Sequence, residues 1–451
     1  MNRMLKIVIG LALIFVVIGT LIAIRHKDEL TLTPISVKGL NIQTWKASNG
    51  AKVLYVHAPQ LPMVDIQITF DAGSARDGNQ QGLASFTNNM LDMGAGDWDT
   101  NTLAERFDSV GAKYSNSAAR DMATVSLRSL TDMQLLDKAV STLAAILNKP
   151  QFDPDELERL RNQTLISIKS ELQSPSSIAS KAYYKALYGS HPYATPVIGT
   201  KESVAKFKRA ELQRFYERFY VGRNAVVSIV GAVSKAQAIK LVEQTVGELP
   251  RGEHAPALPE VQPLAAANTI KQDFPSSQTH ILSGQPGMKR NDPDYFPLYV
   301  GNHILGGSGF SSLIMQVIRD DNGLAYSSYS YFLPMRVKGP FTMGLQTKND
   351  TRDEALQLLD KVLRDFIANG PTPEQLTHAK KNITGGFPLR IDSNSDIISY
   401  INLIGFYDLP LDYLRTYNSK VEAVTIEQIK DAYARRIDPD RLLTVMVGKD
   451  L

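Results

Sequence analysis

The chain has 451 residues, of which 43% are hydrophobic and 21% charged, so it is long enough for two to four globular domains and has neither a disordered nor a fibrous composition. Its 49 basic and 46 acidic side chains give a net charge of +3, and their even spread makes nucleic acid a poor partner. The chain has no cysteine, which excludes disulfides, thiol nucleophiles and Cys-containing zinc sites, so a metal would need histidine and carboxylate ligands.

The first predicted element is a membrane anchor within residues 1–30. Residues 7–24 carry no charge, and as a helix they would span roughly 27 Å, close to the ~30 Å hydrocarbon layer of a bilayer. Because Arg25, His26 and Lys27 follow directly, an uncleaved anchor is favoured over a cleaved signal sequence. Basic residues before the segment favour an inside N-terminus, so we expect an inner-membrane anchor with the bulk of the chain in a bacterial periplasm.

Two similar halves, residues 37–249 and 269–451, are predicted on either side of a proline-rich linker, residues 250–268. The helical sequence that begins LLDKAV at Leu135 has a counterpart that begins LLDKVL at Leu358, which indicates an internal duplication. In both halves, strand-like alternation precedes and follows amphipathic helices. We therefore expect an α+β fold with two homologous α/β-sandwich domains, each a mostly antiparallel sheet with helices packed on one face.

The residues by themselves do not predict a catalytic centre. The closest two of the seven histidines, His280 and His303, are 23 residues apart, so no helix can present a histidine pair to zinc. The chain also lacks the G-x-S-x-G frame of many serine hydrolases and the glycine-rich phosphate loops.

A resemblance to a known family identifies a motif that the spacing of the histidines does not reveal. Residues 72–96 resemble the opening of the pitrilysin and mitochondrial-processing-peptidase family of zinc peptidases, the inverted zincins, whose helix reads G-L-A-H-F-x-E-H-M-L. On this match the two zinc histidines fall on Ser85 and Asn89, and the general-base glutamate falls on Asn88. Hydroxyls and amides are weak zinc donors, and an amide cannot accept the proton of an attacking water. The resemblance therefore implies a degenerate motif, with no metal and no catalytic residue in this chain.

Two further positions are interpreted through the resemblance. Family members take a third zinc ligand, a glutamate, from a helix about 70 to 80 residues on, where Glu158 and Glu171 are both candidates. Residues 188–200 resemble the family's H-P-Y-x-x-P-x-x-G stretch, which implies that His191 is a structural histidine in a loop. In this family an extended peptide adds to an edge strand of the zinc-bearing half, and the resemblance places that strand near Met122.

The second half resembles the family's second domain over residues 303–332. There an arginine and a tyrosine seven residues apart face the zinc site and hold the substrate, which implies that Arg319 and Tyr326 bind substrate. A guanidinium and a phenol can donate hydrogen bonds to an oxyanion. The alternative is an Arg319 paired with a neighbouring aspartate and a buried tyrosine. Gly306 and Gly307 are assigned to a substrate-contacting loop, with a tight turn as the alternative.

In some relatives, one chain bears the His-x-x-Glu-His motif and a second chain has only the substrate-binding arginine and tyrosine. This chain resembles the second kind. The resemblance implies the non-catalytic subunit of a membrane-anchored heterodimeric zinc metallopeptidase, inactive alone. Its partners would be peptide substrates and a homologous subunit that bears His-x-x-Glu-His and holds the zinc. The alternative is a non-enzymatic peptide-binding or scaffold protein of the same fold.

Overall fold

Two β-sheets organise the part of the chain that the computed structural model describes, residues 40–451. The strands of the first sheet are β1 (Gln43–Lys46), β2 (Lys52–His57), β3 (Met63–Phe70), β4 (Lys113–Ala118), β5 (Ala123–Leu130) and β6 (Ala225–Gly231). The strands of the second sheet are β7 (Asn268–Asp273), β8 (Gln278–Pro286), β9 (Ala325–Phe332), β10 (Pro340–Lys348) and β11 (Leu443–Gly448). The sheets thus divide the described chain into the two predicted halves.

Helices connect and cover the strands. Those of the first half are α1 (Leu83–Asn89), α2 (Thr100–Asp108), α3 (Met133–Asn148), α4 (Pro154–Glu171), α5 (Pro175–Tyr188), α6 (Lys201–Val204), α7 (Arg209–Phe219) and α8 (Lys235–Val246). Those of the second half are α9 (Tyr295–Asn302), α10 (Leu313–Met315), α11 (Arg352–Asn369), α12 (Pro373–Gly386), α13 (Asn394–Phe406), α14 (Tyr413–Glu422) and α15 (Ile426–Arg436). Two π-helical segments, His303–Gly307 and Gln316–Asp321, flank α10.

The second sheet repeats the topology of the first. The orders are β1-β2-β6-β3-β5-β4 and β7-β11-β8-β10-β9, so that after β1 the strands correspond one to one. In each sheet one pair is parallel, β2 with β6 and β7 with β11, and the remaining pairs are antiparallel. This agreement supports the internal duplication. Residues 250–267, between the two sheets, contain neither helix nor strand.

Each sheet also receives a helix from the other half. Helix α13 packs on β2, β3 and β6 of the first sheet, whereas α5 packs on β8 and β11 of the second. Accordingly, β6 and β11 are buried at every residue, as expected when both faces of a strand are covered. A Cβ added to Gly405 of α13 would lie 2.5 Å from Leu54, so glycine permits this close approach. The expectation of helices on one face only is therefore incomplete.

A buried carboxylate joins the two halves near the ends of these elements. The Asp121 carboxylate accepts hydrogen bonds from the Tyr193 hydroxyl, from the Tyr407 hydroxyl at 2.9 Å and from the Arg336 backbone N–H at 2.8 Å. Asp121 and Tyr193 belong to the first half, whereas Arg336 and Tyr407 belong to the second. The position of one half on the other is thus fixed by polar contacts as well as by the exchanged helices.

The predicted membrane anchor, residues 1–30, lies outside the described residues. Among residues 40–451, no helix combines the length and the apolar character needed to cross a membrane.

Candidate functional site

Helix α1 carries the three positions of the degenerate zinc motif. Its start is fixed by Asp77, whose carboxylate accepts hydrogen bonds from the backbone N–H groups of Gly82 at 2.7 Å and Ala84 at 2.8 Å. Gly82 has a φ of 91°, and a Cβ on it would lie 2.6 Å from the Gly199 Cα, so both the conformation and the space require glycine. Burial raises the pKa of Asp77 to about 8.

The three motif positions do not share one environment. Ser85 and Asn89, one helical turn apart, line a cleft with a volume of about 690 Å³. Asn88 is fully buried instead, and its side-chain oxygen accepts a hydrogen bond from the Tyr220 hydroxyl at 3.0 Å. The cleft therefore receives one hydroxyl and one amide from α1, while Asn88 is bonded within the core.

Of the two candidate third ligands, one lines the opposite wall of the cleft and the other does not. Glu158 is not part of the wall and pairs with Arg161 on α4, with 3.0 Å between Oε2 and Nε. Glu171 lines the cleft, but its Oε2 lies 2.5 Å from the Lys181 Nζ. Between these two glutamates, α4 presents neutral side chains to the cleft, namely Gln163, Thr164 and Ser167.

Zinc does not fit this donor set. Among residues 40–451, no three His, Cys, Asp or Glu side chains are grouped closely enough to hold a metal ion. Hydroxyl and amide groups do not replace imidazole at zinc, and the one carboxylate of the wall, Glu171, is paired with Lys181. The motif also offers no general base, because the Asn88 amide binds no proton near neutral pH. Acid-base chemistry on a bound peptide is therefore not available to these residues.

His191 is held in a loop by both ring nitrogens. Nδ1 accepts a hydrogen bond from the Tyr193 backbone N–H at 3.1 Å, and Nε2 lies 3.0 Å from the Pro259 carbonyl oxygen, to which it donates. Burial lowers the pKa of His191, which favours the neutral ring that this pattern requires. These contacts agree with the structural role that the resemblance implies.

Arg319 and Tyr326 lie side by side on the second half. Arg319 projects from the π-helical segment Gln316–Asp321, and its guanidinium carbon is 5.6 Å from the centroid of the Tyr326 ring. The centroid of the Phe310 ring lies 4.6 Å from the same carbon. Tyr326 is 81% exposed, so the alternative of a buried tyrosine is wrong.

The paired-arginine alternative has weak geometry. The shortest contact between Arg319 and Asp320 is 3.5 Å, at the long limit for a hydrogen bond. Neither Arg319 nor Tyr326 lines the cleft that holds Ser85 and Asn89. The cleft at α1 is therefore lined without the predicted substrate-binding pair.

The two glycines assigned to substrate binding lie in a helical segment. They belong to the π-helical segment His303–Gly307, which continues directly from α9. Gly306 is buried, and a Cβ on it would lie 2.4 Å from the Ser330 backbone nitrogen, so packing against β9 requires glycine there. Gly306 thus lies in neither an open loop nor a tight turn, and its role is packing within the helical segment. Gly307 is exposed, and its substrate contact stays a prediction.

The expectation of an edge strand near Met122 is wrong. β5, which begins at Ala123, pairs with β3 on one side and β4 on the other, so its backbone groups are already bonded. The outer strand at this side of the sheet is β4, whose side chains are exposed in alternation. Strand addition by a peptide at this side would therefore have to use β4.

Comparisons with known proteins agree with the geometry. Residues 52–201 match the family described as insulinase, peptidase family M16, and residues 206–383 match the domain described as the peptidase M16 inactive domain. The crystal structure of a peptidase M16 inactive domain from Pseudomonas fluorescens is 37% identical, covers 91% of this chain and 98% of its own, and superposes with a TM-score of 0.89. The chain belongs to peptidase family M16. The family membership expected from the sequence is therefore confirmed.

M16 relatives with catalytic and non-catalytic names are both similar to this chain. A Bacillus subtilis protein named uncharacterized zinc protease YmxG is 25% identical and covers 90% of this chain and 98% of its own length. A Helicobacter pylori protein named non-peptidase homolog YmxG is 26% identical over 86% of this chain and 90% of its own. With Ser85, Asn88 and Asn89 at the motif positions, this M16 chain is of the non-catalytic kind.

Proposed function

We propose that this chain is the non-catalytic subunit of a membrane-anchored, heterodimeric zinc metallopeptidase. Its partner is a homologous M16 chain that bears His-x-x-Glu-His and holds the zinc ion. The apolar segment at residues 7–24 anchors the subunit in the inner membrane, and the two halves lie in the periplasm. By itself the subunit hydrolyses no peptide.

The observation that supports this proposal is the exposed pair formed by Arg319 and Tyr326. A tyrosine that is 81% exposed beside a guanidinium contributes little to packing, so its position is better explained by a contact outside the chain. The phenol O–H and the guanidinium N–H groups can donate hydrogen bonds to the oxyanion and to the neighbouring carbonyls of a peptide under attack. Because neither residue of the pair lines the cleft of Ser85 and Asn89, the pair suits a reaction centre on another chain better than one on its own.

Substitution within an active pair of subunits tests the proposal. Arg319→Ala and Tyr326→Phe should leave the zinc content of the partner unchanged and lower kcat by about 10²- to 10³-fold, the usual effect of removing one oxyanion donor. Arg415→Ala serves as a control, because Arg415 is an exposed arginine whose ion pair is with Asp412, the residue that precedes its own helix. Unchanged turnover in both Arg319→Ala and Tyr326→Phe would contradict the assignment.

A non-enzymatic, peptide-binding role is the second candidate. It is favoured by the cleft at α1, which stays open and lined with hydrogen-bonding side chains although the zinc ligands are absent. The two candidates differ in the partner. A His-x-x-Glu-His protein that co-purifies with this chain supports the peptidase pair, whereas purification without one supports the binding role.

A further inference from the structure

The cleft beside Ser85 and Asn89 contains an arginine that no carboxylate neutralises within residues 40–451. Arg120 follows β4 and lines the cleft, and its guanidinium carbon lies 3.5 Å from the centroid of the Tyr184 ring. Its Nε donates a hydrogen bond to the Tyr193 carbonyl oxygen at 3.0 Å. Stacking and this single bond fix the plane of the guanidinium and leave its two terminal nitrogens for a ligand.

Neighbouring acids are engaged elsewhere. The Asp121 carboxylate accepts hydrogen bonds from Tyr193, Tyr407 and the Arg336 backbone. The Glu171 carboxylate pairs with Lys181 at 2.5 Å. With that pair mutually neutral, the lining of the cleft carries one net positive charge, from Arg120.

A largely buried guanidinium without a counter-charge is unusual in a folded protein, because desolvation penalises the charge. Burial accordingly lowers the pKa of Arg120, and the rings around it offset this only in part. An anion that enters the cleft would neutralise the charge of Arg120. This cost to the empty state is the physical reason for expecting a ligand.

We propose that the cleft of this chain binds a peptide carboxylate, held by the two terminal nitrogens of Arg120. The planar fork of a guanidinium matches the two oxygens of a carboxylate. One unbalanced positive charge suits a monoanion better than a phosphate group, which carries about −1.5 to −2 charges at neutral pH. The neutral side chains of Ser85, Asn89, Gln163, Thr164 and Ser167 are suited to the N–H and C=O groups of the peptide that follows.

The proposal is independent of the zinc partner and of Arg319 and Tyr326. It gives the degenerate cleft a role of its own, the retention of peptides without hydrolysis. The carboxylate could belong to the C-terminus of a peptide or to an acidic side chain. Both sources share the same chemistry at Arg120.

Binding of three matched peptides to the full chain in mild detergent tests the proposal. The first is an N-acetylated alanine-serine pentapeptide with a free C-terminal carboxylate, the second is its C-terminal amide, and the third is the amide with one internal glutamate. Calorimetry should show at least about tenfold tighter binding for a carboxylate-bearing peptide than for the neutral amide, the usual size of a charge-assisted contact. Tighter binding of the first peptide would show that Arg120 binds a C-terminal carboxylate. Tighter binding of the third would show that it binds an acidic side chain.

Two variants locate the site. Arg120→Gln should abolish the preference for a carboxylate. Arg106→Gln should retain it, because Arg106 stacks on Trp98 at 3.7 Å and bonds through Nε in the same manner but lies outside the cleft. If Arg120→Gln fails to fold, Arg120→Lys keeps the charge, removes the fork and should weaken the preference. Equal binding of all three peptides by the unmodified chain, no binding at all, or a preference that survives in Arg120→Gln would overturn the proposal.

Discussion

Removal of the Asp121 carboxylate should loosen the junction between the two halves. In Asp121→Ala, the Tyr193 hydroxyl, the Tyr407 hydroxyl and the Arg336 backbone N–H all lose their acceptor. The side chains of Tyr193 and Tyr407 are buried, so water cannot readily replace the lost acceptor at either hydroxyl.

The expected loss follows from these three contacts. A buried donor left without a partner costs about 1 to 3 kcal/mol, and relief of the buried negative charge offsets part of the sum. We therefore expect the free energy of unfolding to fall by about 3 to 5 kcal/mol. Because two of the donors belong to the second half, the loss should fall mainly on the contact between halves.

Urea unfolding with two probes separates this effect from general destabilisation. Both tryptophans of the chain, Trp45 and Trp98, are in the first half, so their fluorescence reports that half, whereas far-ultraviolet circular dichroism reports the whole chain. In Asp121→Ala the two transitions should separate. In Asp65→Ala, which removes a buried carboxylate bonded to Arg128 within the first half, they should stay coincident. A loss below about 1 kcal/mol in Asp121→Ala would refute the reasoning.

Two further predictions concern the exchanged helix and the start of α1. Gly405→Ala would bring a Cβ within 2.5 Å of Leu54 and 2.6 Å of Val226, so it should lower the free energy of unfolding by about 1 to 2 kcal/mol. Gly385→Ala, with open space around its Cβ, should raise it by up to about 1 kcal/mol, and equal effects in thermal unfolding would contradict the packing of α13. Burial raises the pKa of Asp77 from 3.8 to about 8, so between these values the folded chain holds a proton that the unfolded chain has released. The contribution of Asp77 to the free energy of unfolding should therefore fall as the pH rises from about 4 to about 8. Asp77→Asn lacks this contribution, so its stability should fall less, or rise more, between pH 5 and pH 8 than that of the unmodified chain. An equal change in both proteins in urea titrations at the two pH values would contradict the assignment.

Local pattern was enough to predict the strands. Strand-like alternation was expected in both halves, and β5 and β10 are strands of this kind, because alternation and bounded apolar runs are properties of a few consecutive residues. The exchange of α5 and α13 between halves was not predicted. An apolar helix face shows that a helix packs against a partner, but it does not show which sheet that partner belongs to.

The site was predicted only in part. Ser85 and Asn89 share a face because they are four residues apart, but the burial of Asn88 depends on its bond to Tyr220, which comes from a distant helix. Helical phase alone could have shown that Glu158 and Glu171 do not share a face of α4. Thirteen residues at 100° each place the two glutamates on different faces of α4, whereas Thr164, Ser167 and Glu171 follow the helical repeat.

Arg120 had no sequence signal of its own. It precedes β5 as one of several polar residues in a turn, and its importance depends on Tyr184 and Tyr193, which are more than sixty residues away along the chain. The absence of a counter-charge is a property of the folded cleft. Such a site can be recognised only when the partners of each charge have been counted.

The most direct test of the account is a paired measurement of zinc and peptidase activity. The full chain alone should bind no stoichiometric zinc and cleave no peptide, because Ser85, Asn88 and Asn89 supply neither ligands nor a base. Addition of a cognate His-x-x-Glu-His chain should produce a zinc-dependent peptidase whose turnover requires Arg319. Stoichiometric zinc together with peptide cleavage in the isolated chain would contradict the account.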